Sequence, residues 1–127
     1  MPQKSFRDAL NEALHLEMER DGSIIVLGED VSGGAGGTSG QREASGGIFG
    51  VTKGLSTQFP GRVVNAPLAE STIVGKSVGR ALAGGRPVAF LQFADFLPIA
   101  FNQIATELGS MHWRTNGAWT APVIVMI

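Results

Sequence analysis

RVVNAPLAESTIVGKSVGRALAGGRPVAFLQFADF, residues 62–96, decides the fold. It opens on a short apolar run, Arg62 to Asn65, that ends at Ala66-Pro67, where proline biases the preceding residue away from helical geometry. A helix is predicted from Ser71 to Ala83, because Ile73, Val74, Val78, Ala81 and Leu82 recur on one side and Gly84-Gly85 closes it. Pro87 then opens another strand, Val88 to Gln92. Strand, helix, strand in this order is the unit from which parallel sheets are built.

The flanks extend the pattern. Upstream, Ser5 is placed to cap a helix with Asp8 three residues on, and Phe6, Ala9, Leu10, Ala13 and Leu14 recur at helical spacing up to Asp21-Gly22. Ile24 to Leu27 is an aliphatic run without polar alternation, suited to a strand covered on both faces, and Gly28-Glu29-Asp30 ends it. Residues 51–60 carry a short helical pattern closed by Pro60. Downstream, Ile99, Gln103, Ile104 and Leu108 predict a longer helix from about Pro98 to Trp113, and VIVMI, residues 123–127, reads as a fourth, buried strand. The expected class is α/β, a mainly parallel sheet with flanking helices. Ligands of such sheets lie beyond the carboxyl ends of strands, which directs attention to Gly28–Asp30, Pro67–Glu70 and Gln92–Phe96.

With 127 residues the chain fits one domain. Its 10 Lys and Arg against 11 Asp and Glu give no electrostatic reason to expect nucleic acid or an acidic membrane as partner. The absence of cysteine excludes disulfides, thiolate catalysis and sulfur-bound zinc, and two histidines far apart make a poor metal set. No secretory leader or membrane-spanning run is visible, so a cytoplasmic protein is expected. Many of the 18 glycines fall in a stretch of about 32–50, SGGAGGTSGQREASGGIFG. It is read as a long loop, mobile or held by a partner.

Two features of the Ser71–Ala83 segment point beyond packing. Ser71, Gly75, Gly79 and Ala83 follow at four-residue steps, a small-residue row that lets another backbone approach. It serves either the domain's own sheet or a subunit interface. Glu70, at the start of the helix, is either an N-terminal cap favoured by the helix dipole or a carboxylate turned to a ligand.

Read together, EDV, GGIFGVTKGL, RVVNAPLAE and GRPVAFLQFADF resemble, in order and spacing, the β subunit of the decarboxylating component of pyruvate, branched-chain 2-oxo acid and acetoin dehydrogenases. The similarity is to its transketolase-like pyrimidine-binding domain, covers the chain from Lys4 onward, and rests on four motifs in register. By that resemblance the cofactor is thiamine diphosphate. Glu70, in Pro67-Leu68-Ala69-Glu70, matches the glutamate that bonds a ring nitrogen of the aminopyrimidine and favours its imino form. Leu68 would add an apolar contact, Gln92 matches the glutamine of the strand-end motif, and Phe96 stands where an aromatic ring stacks on the pyrimidine. Phe96 replaces the commoner tyrosine, keeping the stacking face without the hydroxyl. Ordinary core or turn roles stay open for Gln92 and Phe96.

The glycine-rich stretch is most similar to that of acetoin-type and related bacterial members. The resemblance also implies an α subunit as partner, which holds the diphosphate and its magnesium, so no cofactor is expected to bind tightly to this chain alone. The chain is expected to be a truncated domain, roughly a third of a complete β subunit, ending before the family's catalytic-site histidine and its second domain. Neither His15 nor His112 matches that histidine, and both are expected to be surface or structural residues. Alone it is therefore expected not to decarboxylate 2-oxo acids. The alternative is a non-catalytic module that associates with itself or a relative through the Ser71, Gly75, Gly79, Ala83 face.

Overall fold

The computed structural model describes residues 3–32 and 46–127. Most of the glycine-rich stretch, and the expectation of its mobility, therefore lie outside the described residues. Ser5 caps α1 (Phe6–Arg20) as its sequence suggests, its hydroxyl oxygen accepting from the Asp8 amide at 3.1 Å. There follow β1 (Ile24–Gly28), α2 (Leu55–Gln58), β2 (Val63–Asn65), α3 (Glu70–Leu82) and β3 (Arg86–Phe90). A helical stretch (Ala94–Ala100, then Asn102–Leu108) leads to α4 (Met111–Arg114) and β4 (Ile124–Met126).

The four strands form one parallel sheet in the order β2-β1-β3-β4. Period-two alternation divides its side chains between two cores. Val26, Val63, Val88 and Phe90 meet Met18 of α1 and Leu55 and Phe59 of the α2 region on one face. Leu27, Ala89 and Leu91 meet Ile73, Val74 and Val78 of α3, with Ala100 and Met111, on the other. The layers are thus helix, sheet, helix. Arg62 pins the end of α1 to the sheet: its guanidinium donates to Met18 O at 2.8 Å and Asp21 O at 3.1 Å and lies 4.5 Å from the centre of the Phe59 ring.

Three expectations need correction. Leu82 is 39% exposed rather than buried, and buried Ser77 takes the inward place, its hydroxyl satisfied by donating to Ile73 O at 2.9 Å. The 98–113 helix does not keep one winding. Residues Ala94–Ala100 wind as a 3-10 helix containing Pro98, and Asn102–Leu108 as a π-helix. A proline cannot donate to the ladder, and at Gly109 the amide bonds Ile104 O at 2.8 Å, five residues back, with room only for a hydrogen where a Cβ would meet Ala105 O at 2.9 Å. Finally, β4 is not a buried strand. It pairs only with β3, Ile124 is 63% exposed, and an apolar groove of about 430 Å³ opens beside it, lined by Leu10, Leu14, Ile24, Val88, Val123 and Met126.

The strand order fixes where a ligand can sit. From β1 the chain moves to β2 on one side, then crosses by α3 to β3 on the other, so the order reverses between β1 and β3. At such a reversal the connections diverge and leave a crevice outside the carboxyl ends of the strands.

Candidate functional site

Gly28 sets the floor of that crevice. It lies opposite Phe90 in the β1–β3 register, and a Cβ there would stand 2.6 Å from Phe90 O and 2.9 Å from Val31 Cγ1. Only glycine lets the two strands stay in register to their ends. Beyond it the backbone turns sharply, with Asp30 at φ 51°, and the turn is tied down at two points. The Ser32 amide donates to Asn65 Oδ1 at 2.8 Å, joining it to the end of β2, and the buried Thr52 hydroxyl donates to Val31 O at 2.7 Å.

Gln92 follows β3 by two residues and is 8% exposed. Its Nε2 donates to Glu29 O. A carbonyl oxygen accepts only, so this bond fixes the amide orientation and turns Oε1 the other way. There Oε1 is buried and has no hydrogen-bond partner among the described residues. An orphaned buried acceptor costs about 1–3 kcal/mol unless something supplies an N–H or O–H.

Two carboxyl groups share the region. Glu29 is half-buried, and burial, reinforced by the charges of Asp30 and Glu70, holds its carboxyl above the usual glutamate range. Glu70 is half-buried at the first position of α3. Its capping reading fails, because Ala69 occupies the cap position and no side chain caps the helix. What remains is a carboxylate at a helix N-terminus, close enough to Glu29 to bias its proton affinity. Gln92 is thus tied to the backbone of Glu29, and the Glu29 carboxyl feels the charge of Glu70.

The apolar residues stand at the rim. Leu68, two residues before Glu70, is 77% exposed, and Phe96 is 43% exposed. Phe96 meets Phe93 edge-to-face with ring centres 5.9 Å apart, and Phe93 in turn meets Phe49 at 5.6 Å. Hydrogen bonding and charge thus join Gln92, Glu29 and Glu70, and Phe96 is linked to them through Phe93, the neighbour of Gln92 in sequence. Leu68 is tied to the group by chain position alone. Glu29 and Phe93 lie in two of the segments singled out from the sequence, Gly28–Asp30 and Gln92–Phe96, but neither was named as a site residue. The signal for Glu29 was two acids directly after a wholly apolar strand; for Phe93 it was an aromatic three residues before another on one helical turn.

Both histidines sit away from the crevice. His15 lies beside Gln58 Oε1 and Lys53 O, at 2.6 and 3.1 Å, and His112 Nδ1 lies 3.3 Å from Trp119 O. Among the described residues no three acidic or histidine side chains cluster in a way that could hold a metal ion. No helix there is long and apolar enough to cross a membrane.

Comparison with known proteins gives the same architecture a family. The family "Transketolase, pyrimidine binding domain" matches residues 2–125. The chain is 43% identical over 121 residues to the β subunit of acetoin:2,6-dichlorophenolindophenol oxidoreductase of Cupriavidus necator, covering 95% of this chain and 36% of that protein. It is 44% identical over 122 residues to the 2-oxoisovalerate dehydrogenase β subunit of Bacillus subtilis, covering 95% and 34%. With the pyruvate dehydrogenase E1 component β subunit of Leifsonia xyli it shares 41% identity over 120 residues, covering 94% and 32%. It thus spans about a third of the length of the curated relatives it matches. By the family match and by its parallel sheet, the chain belongs to the transketolase pyrimidine-binding domain family.

Proposed function

We propose that this domain supplies the aminopyrimidine side of a thiamine diphosphate site in a β-subunit-type component of a 2-oxo acid or acetoin dehydrogenase. The observation that carries the reading is the buried Oε1 of Gln92, which has no hydrogen-bond partner among the described residues and is held at the sheet's topological switch point by the bond from Nε2 to the Glu29 carbonyl. A buried acceptor without a partner among the described residues, in a region that also holds the carboxyl groups of Glu29 and Glu70, suits a ligand that presents N–H groups on a flat ring, and an aminopyrimidine is such a ligand. The family's pyrimidine-binding description and the β-subunit names of three relatives support the same choice.

Each residue then has a physical task. Glu70 faces the ring nitrogen, hydrogen-bonds it and passes a proton to or from that atom. Gln92 Oε1 accepts an N–H, and its Nε2, anchored on Glu29 O, keeps that acceptor from rotating away. Glu29 favours its neutral form more than a free glutamate does, which reduces like-charge repulsion at Glu70. Leu68 and Phe96 supply apolar surface that excludes water, with the Phe96 ring as the stacking face. When bound, thiamine diphosphate supplies the carbon nucleophile that oxidative decarboxylation requires. As the resemblance implies, the diphosphate and its magnesium fall to an α subunit: carboxylates on this side repel a diphosphate, and among the described residues no cluster of acids could hold the metal.

Calorimetric titration of thiamine diphosphate with magnesium tests the reading, using this chain alone, mixed with an α subunit of a related dehydrogenase, and carrying Glu70→Gln. Heat of binding only in the mixture, lost on substitution, is expected. Equal binding by Glu70→Gln contradicts it.

A second reading, self-association through α3, is favoured by one observation. Gly75 is covered by Gln103 Cγ at 3.7 Å, but Gly79 is exposed with nothing within 4 Å of where its Cβ would be. The Ser71, Gly75, Gly79, Ala83 row is thus only partly used within the chain. Sedimentation of the wild type against Gly79→Leu tests this: a dimer that Leu dissociates supports it, and a monomer at working concentration refutes it.

A further inference from the structure

Phe49 lies next to last in the glycine-rich stretch, and neither the resemblance nor the proposed chemistry gives it a task. It is 49% exposed, yet the turn that carries it is held firmly. Gly46, Gly47 and Gly50 all have positive φ, at 68°, 75° and 73°, so the backbone can curl tightly around residues 48 and 49. The curl is seated on the crevice: a Cβ at Gly47 would lie 3.2 Å from Asp30 O and 3.8 Å from Gln92 Nε2, and the Lys53 amide donates to Gly50 O at 3.3 Å. On this seat the Phe49 ring meets Phe93 at 5.6 Å and 77°, and Phe93 meets Phe96 at 5.9 Å and 88°. Both pairs are edge-to-face, the geometry in which the positive edge of one ring meets the negative face of another.

We infer that Phe49 is a positioning residue: through Phe93 it sets the tilt of Phe96, and with it the plane on which a flat heteroaromatic ligand stacks. The inference rests on the proposed aminopyrimidine site. It goes beyond that site by making the end of the glycine-rich stretch part of the stacking wall, so that ligand affinity depends on how this turn is seated. Removing one edge contact leaves both Phe93 and Phe96 in place but free to tilt. Such a pair accounts for about a 2- to 10-fold change in an equilibrium.

The test uses the chain with phenylalanine rings labelled for NMR and three variants: Phe49→Leu, Phe49→Tyr and Phe96→Leu. Without ligand, Phe49→Leu is expected to shift the Phe93 and Phe96 ring signals while the amide spectrum of the sheet stays unchanged, and Phe49→Tyr to restore them. Thiamine diphosphate with magnesium is then titrated in the presence of an α subunit of a related dehydrogenase, read on the Phe96 ring. Phe49→Leu should weaken binding about 2- to 10-fold, Phe49→Tyr should bind like the wild type, and Phe96→Leu should lose the stacking contribution. Unchanged ring signals and unchanged affinity in Phe49→Leu overturn the positioning role alone. A wild-type Phe96 ring that never responds to the cofactor overturns the cofactor reading, and this inference with it.

Discussion

Replacing Gly28 by alanine adds one methyl group at the place where β1 and β3 come closest beneath the candidate site. The added carbon would stand 2.6 Å from Phe90 O, 2.9 Å from Phe90 Cβ and 2.9 Å from Val31 Cγ1. The first two atoms belong to the paired strand, which cannot yield without breaking its register with β1. Overpacking of a filled core costs about 1–3 kcal/mol, and with backbone as the obstacle we expect the upper part, about 2–3 kcal/mol. For a domain of this size that lowers Tm by roughly 6–15 °C. Gly22→Ala is the control, because nothing lies within 4 Å of its added carbon, and a change under about 0.5 kcal/mol is expected there. Circular dichroism melts of both variants provide the comparison. If Gly28→Ala melts within a degree or two of the wild type, the strands do not approach as closely as described, and the crevice floor is misassigned.

Four further outcomes are expected. Arg62→Ala removes three hydrogen bonds, to the carbonyls of Met18 and Asp21 at the end of α1 and of Ile24 in β1, and the contact with Phe59; urea unfolding should show a loss of about 2–4 kcal/mol, less than half recovered by lysine, which lacks the planar fork. Gly79→Ala should stabilise the monomer by about 0.5–1 kcal/mol, since glycine is a poor helix former and the position is open; destabilisation in a thermal melt would mean that α3 is already covered there. For Glu29 the sign follows from a raised pKa: the folded state binds its proton more tightly, so stability falls as pH rises from the ordinary glutamate value of 4.5 through the raised one. Glu29→Gln should abolish that decline in a pH series of urea midpoints, and an undiminished decline would contradict the assigned environment. Asp21 runs the other way: its bonds from the Ser23 hydroxyl and amide hold its pKa down, so its contribution is lost as pH falls.

The parallel sheet was legible because each strand lies between strong local signals. Asp21-Gly22 and Gly28 bracket β1, Pro67 follows β2, and Gly84-Gly85 precedes β3, so element type and order needed no tertiary information. Winding after β3 was not legible. The spacing of Ile99, Gln103, Ile104 and Leu108 is helical, but the local pitch depends on Pro98 and on the five-residue bond that Gly109 makes with Ile104. At the candidate site, the place of Glu70 between a strand end and a helix start left it open between a cap and a ligand-facing carboxylate, and only the resemblance pointed to the second. Glu29 was not recognisable, because its raised proton affinity comes from burial and from Glu70, 41 positions away in sequence. The fixed orientation of the Gln92 amide likewise depends on a carbonyl of β1's end, which only the strand pairing brings alongside.

Carbon-13 NMR of the glutamate carboxyl groups tests the central claim most directly, with thiamine diphosphate and magnesium added to the labelled chain in the presence of an α subunit of a related dehydrogenase. The account predicts that the Glu70 carboxyl signal, assigned by its loss in Glu70→Gln, shifts on saturation while those of Glu12, Glu17 and Glu19 on α1 stay fixed. A Glu70 signal that stays put while the cofactor binds would contradict it.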